Sequence, residues 1–277
     1  MAGMDDRRVV EIERLCNRFR IDLVKMLHSK QTGHPGGSLS ANEIVTTLYS
    51  EKMDIDVSNP QDPDRDRFVL GKGHAAPILY LNLAEKGFFP KSELRNFRQI
   101  NSILQGHPTL KTPGVDAVTG PLGLGISAAS GMAMGMKLDN SEKYVYCLMG
   151  DGEIQEGIVW EAAMGAAKHR LDNLICILDN NGVQLDGLTK DIMPMGDITA
   201  KWESFGWKVI EINGHSIKAI SNAIDLAKTL KGQPILINAD TVKGKGISFM
   251  EHKNIWHGKP IDDNNLEIAL KELQGGN

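Results

Sequence analysis

The sequence predicts an α/β protein, a doubly wound, mainly parallel sheet flanked by helices. Short apolar runs alternate with longer segments of helical period along the 277 residues. No internal repeat or low-complexity tract interrupts the alternation. Three of the apolar runs, in "RFVLGKGH", "YVYCLMGDG" and "LICILDNNG", stop at Gly- or Asn-bearing loops. In sheets of this class ligands bind beyond the carboxyl ends of the strands, so these loops should converge on one edge.

Residues 6–29 place Val9, Ile12, Leu15, Cys16, Phe19, Leu23, Met26 and Leu27 at helical spacing. The segment "KQTGHPGGSLS" that follows is too rich in Gly and Pro for a helix. A short helix over about 40–51 precedes the polar loop "SNPQDPDRDR", the short strand "FVL" and the loop "GKGHAAP". Helices are expected over about 75–86 and 92–98. Residues 104–124 form a long connection, of the kind that tends to be functional or disordered. Helix 125–137, "GISAASGMAMGMK", is rich in small residues and suits close packing against a sheet or a neighbouring helix. Then come strand 144–149, helix 154–169, strand 174–178, a loop over 179–197 and a short helix. Strand 207–212, helix 216–230, strand 234–239, a Gly- and His-containing loop and a helix over about 264–274 complete the pattern. One domain over 1–277 is the simplest organisation.

Composition narrows the function. A net charge of −4 with interspersed signs gives no nucleic-acid footprint. No apolar run approaches the roughly 20 residues of a membrane span. The start, "MAGMDDRRVV", has no signal-peptide core, which points to the cytoplasm. Cys16, Cys147 and Cys176 are unclustered and read as reduced, buried thiols. Many of the 29 glycines fall in loops beside histidines, a hint that backbone approaches a ligand closely.

Asp151 stands where a strand stops and a helix begins, between two glycines that let an anion approach free N–H groups. A carboxylate beside a phosphate suits Mg²⁺, which takes about six oxygens shared among side chains, water and phosphate. Asn181 follows the next strand on the same side and can supply a second, neutral oxygen. Glu153 and Glu161 are expected to be solvated or helix-terminal acids, since an acid in a first helical turn suits the dipole anyway. His34, His74, His107 and His257 all lie in Gly- or Pro-rich loops; His28, His169, His215 and His252 have no comparable setting.

"GDG", 27 intervening residues and "NN" resemble the thiamine-diphosphate motif. The text around it resembles the N-terminal, diphosphate-binding half of transketolase. The matching stretches are "TGHPGGSLS", "DRFVLGKGHAAPILY", "GHPTLKTPGVDAVTGPLGLGIS", "MGDGEIQEG", "LDNLICILDNNGVQLDG" and "HGKP", in order over nearly the whole chain. The resemblance implies Asp151, Asn181 and the Val183 carbonyl as ligands of Mg²⁺ or another divalent cation such as Ca²⁺ or Mn²⁺. It implies Gly152 as a backbone donor to the diphosphate, with His74 and His257 on the diphosphate side near the reacting centre. Gly120, Leu122 and Leu185 match residues around the cofactor rings, and His34 and His107 match histidines that hold sugar hydroxyls. Glu156 resembles a glutamate of a carboxylate network joining two cofactors across a subunit interface.

The family's pyrimidine-binding and C-terminal domains have no counterpart in these 277 residues, so the resemblance implies a split enzyme. A second chain would supply those domains, in a two-fold symmetric heterotetramer acting on sugar phosphates. The implied reaction transfers a two-carbon ketol unit from a ketose to an aldose through thiamine diphosphate. Histidines near pH 7 suit the proton movements on sugar hydroxyls. The alternatives are the alpha subunit of a 2-oxo acid dehydrogenase, in which the "TGHPGG" and "QGHPTL" loops have no obvious task, and a non-catalytic regulatory subunit.

Overall fold

The computed structural model describes residues 3–275. Its centre is a five-stranded, wholly parallel sheet of β1 (Arg67–Leu70), β2 (Val145–Gly150), β3 (Leu174–Asn180), β4 (Lys208–Asn213) and β5 (Ile235–Asp240), in the order β1-β2-β3-β5-β4. The central strands are covered on both faces, which is why "VYCLMG" and "LICILD" read as continuous apolar runs rather than alternations. Successive side chains still point to opposite faces. Tyr146 and Leu148 enter one core, whereas Val145, Cys147 and Met149 enter the other. Edge strand β4 has one buried position, Val209, and is otherwise partly or fully exposed.

Helices α1 (Asp6–Lys30), α2 (Pro35–Ser40), α3 (Asn42–Thr47), α4 (Ala76–Lys86) and α9 (Ile217–Thr229) contribute to the first core, and α10 (Asp263–Leu273) packs on α1. Helices α5 (Leu124–Leu138), α6 (Gly157–Lys168) and α8 (Ile198–Ser204) build the second. The small residues of α5 bring it close to the sheet: a Cβ on Gly125 would lie 2.5 Å from the Gly71 Cα. All three cysteines are buried and free.

The differences from the sequence reading are local. Residues 35–40, expected to be irregular, form α2. Pro35 occupies its first turn, where its missing N–H costs nothing. The glycines of α2 serve close approach: a Cβ on Gly36 would meet the Trp256 carbonyl at 2.8 Å, and one on Gly37 the His74 ring at 3.1 Å. The expected helix 40–51 is α3 followed by a π turn, Leu48–Lys52. The expected helix 92–98 is a 3₁₀ turn, Lys91–Asn96, ended by Phe97 and by Arg98 at φ 57°. Glu156 is extended and divides the expected helix 154–169 into a 3₁₀ turn, Glu153–Gln155, and α6. The loop 179–197 contains the short α7 (Thr189–Ile192) and a bridge between Val183 and Leu188. No described helix is long and apolar enough to cross a membrane.

Candidate active site

Because the sheet is parallel, β1, β2 and β3 deliver the "GKGH", "GDG" and "NNG" loops to one edge. A cavity of about 380 Å³ opens there, and all twelve residues singled out in the sequence line it. A wider depression of about 680 Å³ lies at the ends of β4 and β5, lined mainly by amide and acidic side chains, without the histidine cluster.

The floor is an oxygen-rich turn. Asp151 is buried, and its Oδ2 accepts from Gly182 N (2.8 Å) and Thr189 Oγ1 (3.2 Å), its Oδ1 from Gly152 N (3.1 Å). Burial and the nearby Asp179 charge push its carboxyl up to about 6. Asn181 Oδ1 accepts from Val183 N at 3.1 Å, and the buried Val183 carbonyl accepts from Lys243 Nζ at 2.8 Å. No cluster of three His, Cys, Asp or Glu side chains suited to a metal occurs among the described residues. A cation here would therefore rely on one carboxylate, one amide, one carbonyl and ligand oxygens. That hard donor set fits Mg²⁺ or Ca²⁺ shared with a diphosphate.

Two buried lysines flank this turn, and neither was singled out in the sequence. Lys72 pairs with Asp179 Oδ2, which also accepts from Ser40 Oγ at 2.6 Å, while Thr241 Oγ1 donates to Asp179 Oδ1. Burial opposes a charged Asp179, but Lys72 and the two hydroxyls outweigh it and hold the carboxyl below its ordinary value. Lys243 forms no ion pair among the described residues; its Nζ lies 3.0 Å from His257 Nδ1. Burial and the charge of Lys72 bring its ammonium down to about 8. The sequence "TVKGKGI" carries no signal that separates this lysine from a surface one.

Four imidazoles form the opposite wall. The His34 ring centroid lies 5.5 Å from that of His74, 6.2 Å from His107 and 5.4 Å from His257, and His74 and His257 are 4.8 Å apart. Burial, then neighbouring cations and histidines, lowers all four: His34 to about 4, His257 to about 3, His74 well below its ordinary value and His107 below it. They are neutral at pH 7, each offering one donor and one acceptor. A lysine ammonium can only donate, so His257 Nδ1 accepts and its proton sits on Nε2. His34 Nδ1 is buried without a partner, as befits a wall built for a polar ligand.

Gly120 lies under the His107 ring, where a Cβ would come within 3.6 Å. Leu122 and Leu185 are 38% and 59% exposed at the mouth, and Glu156 is exposed at the rim. Glu153 opens the 3₁₀ turn Glu153–Gln155, so of the two expectations the helix-terminal one holds and the solvated one does not. It is 2% exposed rather than solvated, and its carboxylate accepts from Gly123 N (3.0 Å) and Gly150 N (3.1 Å). Burial pushes it up to about 7. Glu161 is exposed, as expected.

Fold and cavity together define a thiamine-diphosphate-binding unit: a parallel sheet whose strand ends gather an Asp–Asn oxygen turn, two buried lysines and a histidine wall. A family model described as "Transketolase, thiamine diphosphate binding domain" matches residues 12–276. The chain belongs to the transketolase family, as the thiamine-diphosphate-binding part of a transketolase-type transferase. It is 41% identical to the 6-deoxy-6-sulfo-D-fructose transketolase subunit SqwG of Clostridium sp. (strain MSTE9), over 96% of this chain and 97% of that relative. It is 42% identical to the transketolase of Homo sapiens over 97% of this chain, but spans only 43% of that protein. Among solved structures, transketolase from Campylobacter jejuni subsp. jejuni NCTC 11168 superposes with a TM-score of 0.90 and 32% identity, over 98% of this chain and 43% of that one.

Proposed function

We propose that this chain is the diphosphate- and donor-binding half of a split transketolase, folded as one domain over 1–277 and working in the cytoplasm. The observation that carries this is the pairing of four neutral imidazoles with an Asp151–Asn181–Val183 oxygen turn inside one cavity. Asp151, Asn181 and the Val183 carbonyl would hold Mg²⁺. Gly152 N, Lys243, His74 and His257 would hold the diphosphate, and Gly120, Leu122 and Leu185 would border the rings. Thiamine diphosphate, when bound, supplies the electron sink for breaking and making the carbon–carbon bond.

The chain's own residues then bind, orient and move protons. His34 and His107, neutral and unpaired by any carboxylate among the described residues, hydrogen-bond the hydroxyls of a ketose donor and pass protons to and from them. Glu156 at the rim reaches toward a partner subunit. Part of a polar sugar-binding wall has no obvious task in a 2-oxo acid dehydrogenase, which favours ketol transfer. The partner supplies the pyrimidine-binding and C-terminal domains and the groups that grip the far end of a sugar phosphate. Two copies of each chain would form a two-fold heterotetramer with two sites.

The test is a titration of thiamine diphosphate with saturating Mg²⁺ into the reconstituted complex. Asp151→Ala is expected to abolish binding, and Asn181→Ala to weaken it less, since it removes a neutral ligand. Wild-type affinity in the Asp151 variant would refute the metal assignment.

A further inference from the structure

Lys243 is held by a second, buried cluster that the active-site assignment does not use. Glu43 of α3 lies between Arg20 of α1 and His215 in the turn after β4. Its Oε1 accepts from Arg20 Nη2, and its Oε2 lies 2.9 Å from His215 Nδ1. All three side chains are largely removed from solvent, at 12%, 7% and 14% exposure for Arg20, Glu43 and His215. Burial opposes the charge on Glu43, but the His215 hydrogen bond and the Arg20 charge outweigh it and keep the carboxyl below its ordinary value.

The far ends of this cluster grip the backbone on either side of Lys243. The Val242 N–H donates to His215 Nε2 at 2.8 Å, and Arg20 Nε donates to the Lys245 carbonyl at 3.2 Å. The Val242 N–H can only donate, so Nε2 is the bare nitrogen and Nδ1–H faces Glu43. One carboxylate thus fixes both the tautomer that accepts from Val242 and the guanidinium that donates to Lys245. The loop itself is shaped for this contact. Gly246 has φ 93°, and a Cβ there would lie 2.9 Å from Arg20 Nε. Gly244 N donates to the Gly36 carbonyl at 3.1 Å, which docks the same loop on α2 beside His34. A buried charge cluster is a weak source of stability, and its best-attested use is to select one arrangement.

The geometry points to Arg20, Glu43 and His215 as positioning residues that aim Lys243 at the cofactor's diphosphate. This rests on the assignment of Lys243 as a diphosphate anchor, and the variants separate the two. In His215→Gln, the side-chain carbonyl reaches the place of Nε2 and still accepts from Val242. In His215→Asn, the amide reaches only the place of Nδ1, so the loop-facing acceptor is lost. Arg20→Lys keeps a charge for Glu43 but loses the fork that also holds Lys245, and decides the matter if His215→Asn does not fold.

In the complex with its partner, thiamine diphosphate is titrated calorimetrically with saturating Mg²⁺, alongside donor KM and the unfolding midpoint of each variant. His215→Asn and Arg20→Lys are expected to weaken cofactor affinity about three- to tenfold, the scale of one hydrogen bond. His215→Gln should stay within about twofold of wild type, and donor KM should not move. Equal weakening in the Gln and Asn variants would overturn the inference. Wild-type affinity in His215→Asn and Arg20→Lys beside a weakened Lys243→Ala would overturn it while leaving the anchor intact. Wild-type affinity in Lys243→Ala would remove the anchor assignment itself, and the inference with it.

Discussion

His34 is where burial and charge converge: three imidazoles surround its ring, and Arg98 and Lys243 add positive potential. Its unpartnered Nδ1 and its neutrality suit the proposed role of hydrogen-bonding sugar hydroxyls rather than a phosphate. His34→Ala and His107→Ala should therefore raise donor KM or lower turnover about three- to tenfold, from roughly 0.5–1.5 kcal/mol per neutral hydrogen bond. The loss in turnover grows to about a hundredfold or more if the ring also transfers a proton. Thiamine diphosphate affinity should stay near wild type. If either variant fails to hold the cofactor, its assignment to the sugar is wrong.

The same burial has a pH signature. The folded value of His34, about 4, lies below the ordinary 6.5, so unfolding takes up a proton in acid. The stability linked to His34 is complete above about 6.5 and is lost as pH falls through about 4. Asp151 and Glu153 act in the opposite sense, because their folded values are raised to about 6 and about 7. Their contribution is complete near pH 4 and fades as pH rises through those values. Urea unfolding at pH 7 and pH 4.5 should show the wild type losing more stability on acidification than His34→Asn. Equal losses would contradict a half-buried, neutral His34.

Between elements, Glu153 straps the N-cap of α5, Gly123, to the end of β2 through two backbone N–H groups. Glu153→Gln sets an amide donor against one of them and should cost about 1–3 kcal/mol, read from denaturant midpoints. Lys72→Met leaves Asp179 buried and unpaired, and should cost about 3–5 kcal/mol. An unchanged midpoint in either variant would show that the contact is not made in solution. These contacts also mark the limit of what was legible in the sequence. The strands and the loops at their ends were legible because apolar runs ending in Gly or Asn record burial and backbone approach in the local text. The helix Pro35–Ser40 was not, because its glycines answer to Trp256 and His74, which lie far away in sequence. Glu153 and Lys243 read as ordinary charged residues because only the tertiary fold buries them. His215 was set aside for want of a Gly- or Pro-rich setting, yet its partners come from α3 and from the loop after β5.

At the level of the whole molecule, the cavity is polar inside and apolar at its mouth. Leu122 and Leu185 stand exposed on the lining beside Glu156, where nothing in the described chain covers them. On the proposed reading the histidine wall and the oxygen turn would bind one end of the cofactor, and no second α/β unit among the described residues is present to clasp its aminopyrimidine. The split-enzyme account therefore requires a partner chain for any turnover. The direct measurement is reconstitution: ketol transfer from a ketose phosphate to an aldose, with thiamine diphosphate and Mg²⁺, by this chain alone and then with a chain carrying the pyrimidine-binding and C-terminal domains. The account predicts no transfer by the chain alone, and activity that rises with added partner and saturates at a one-to-one ratio. Substantial transfer without any partner would contradict it.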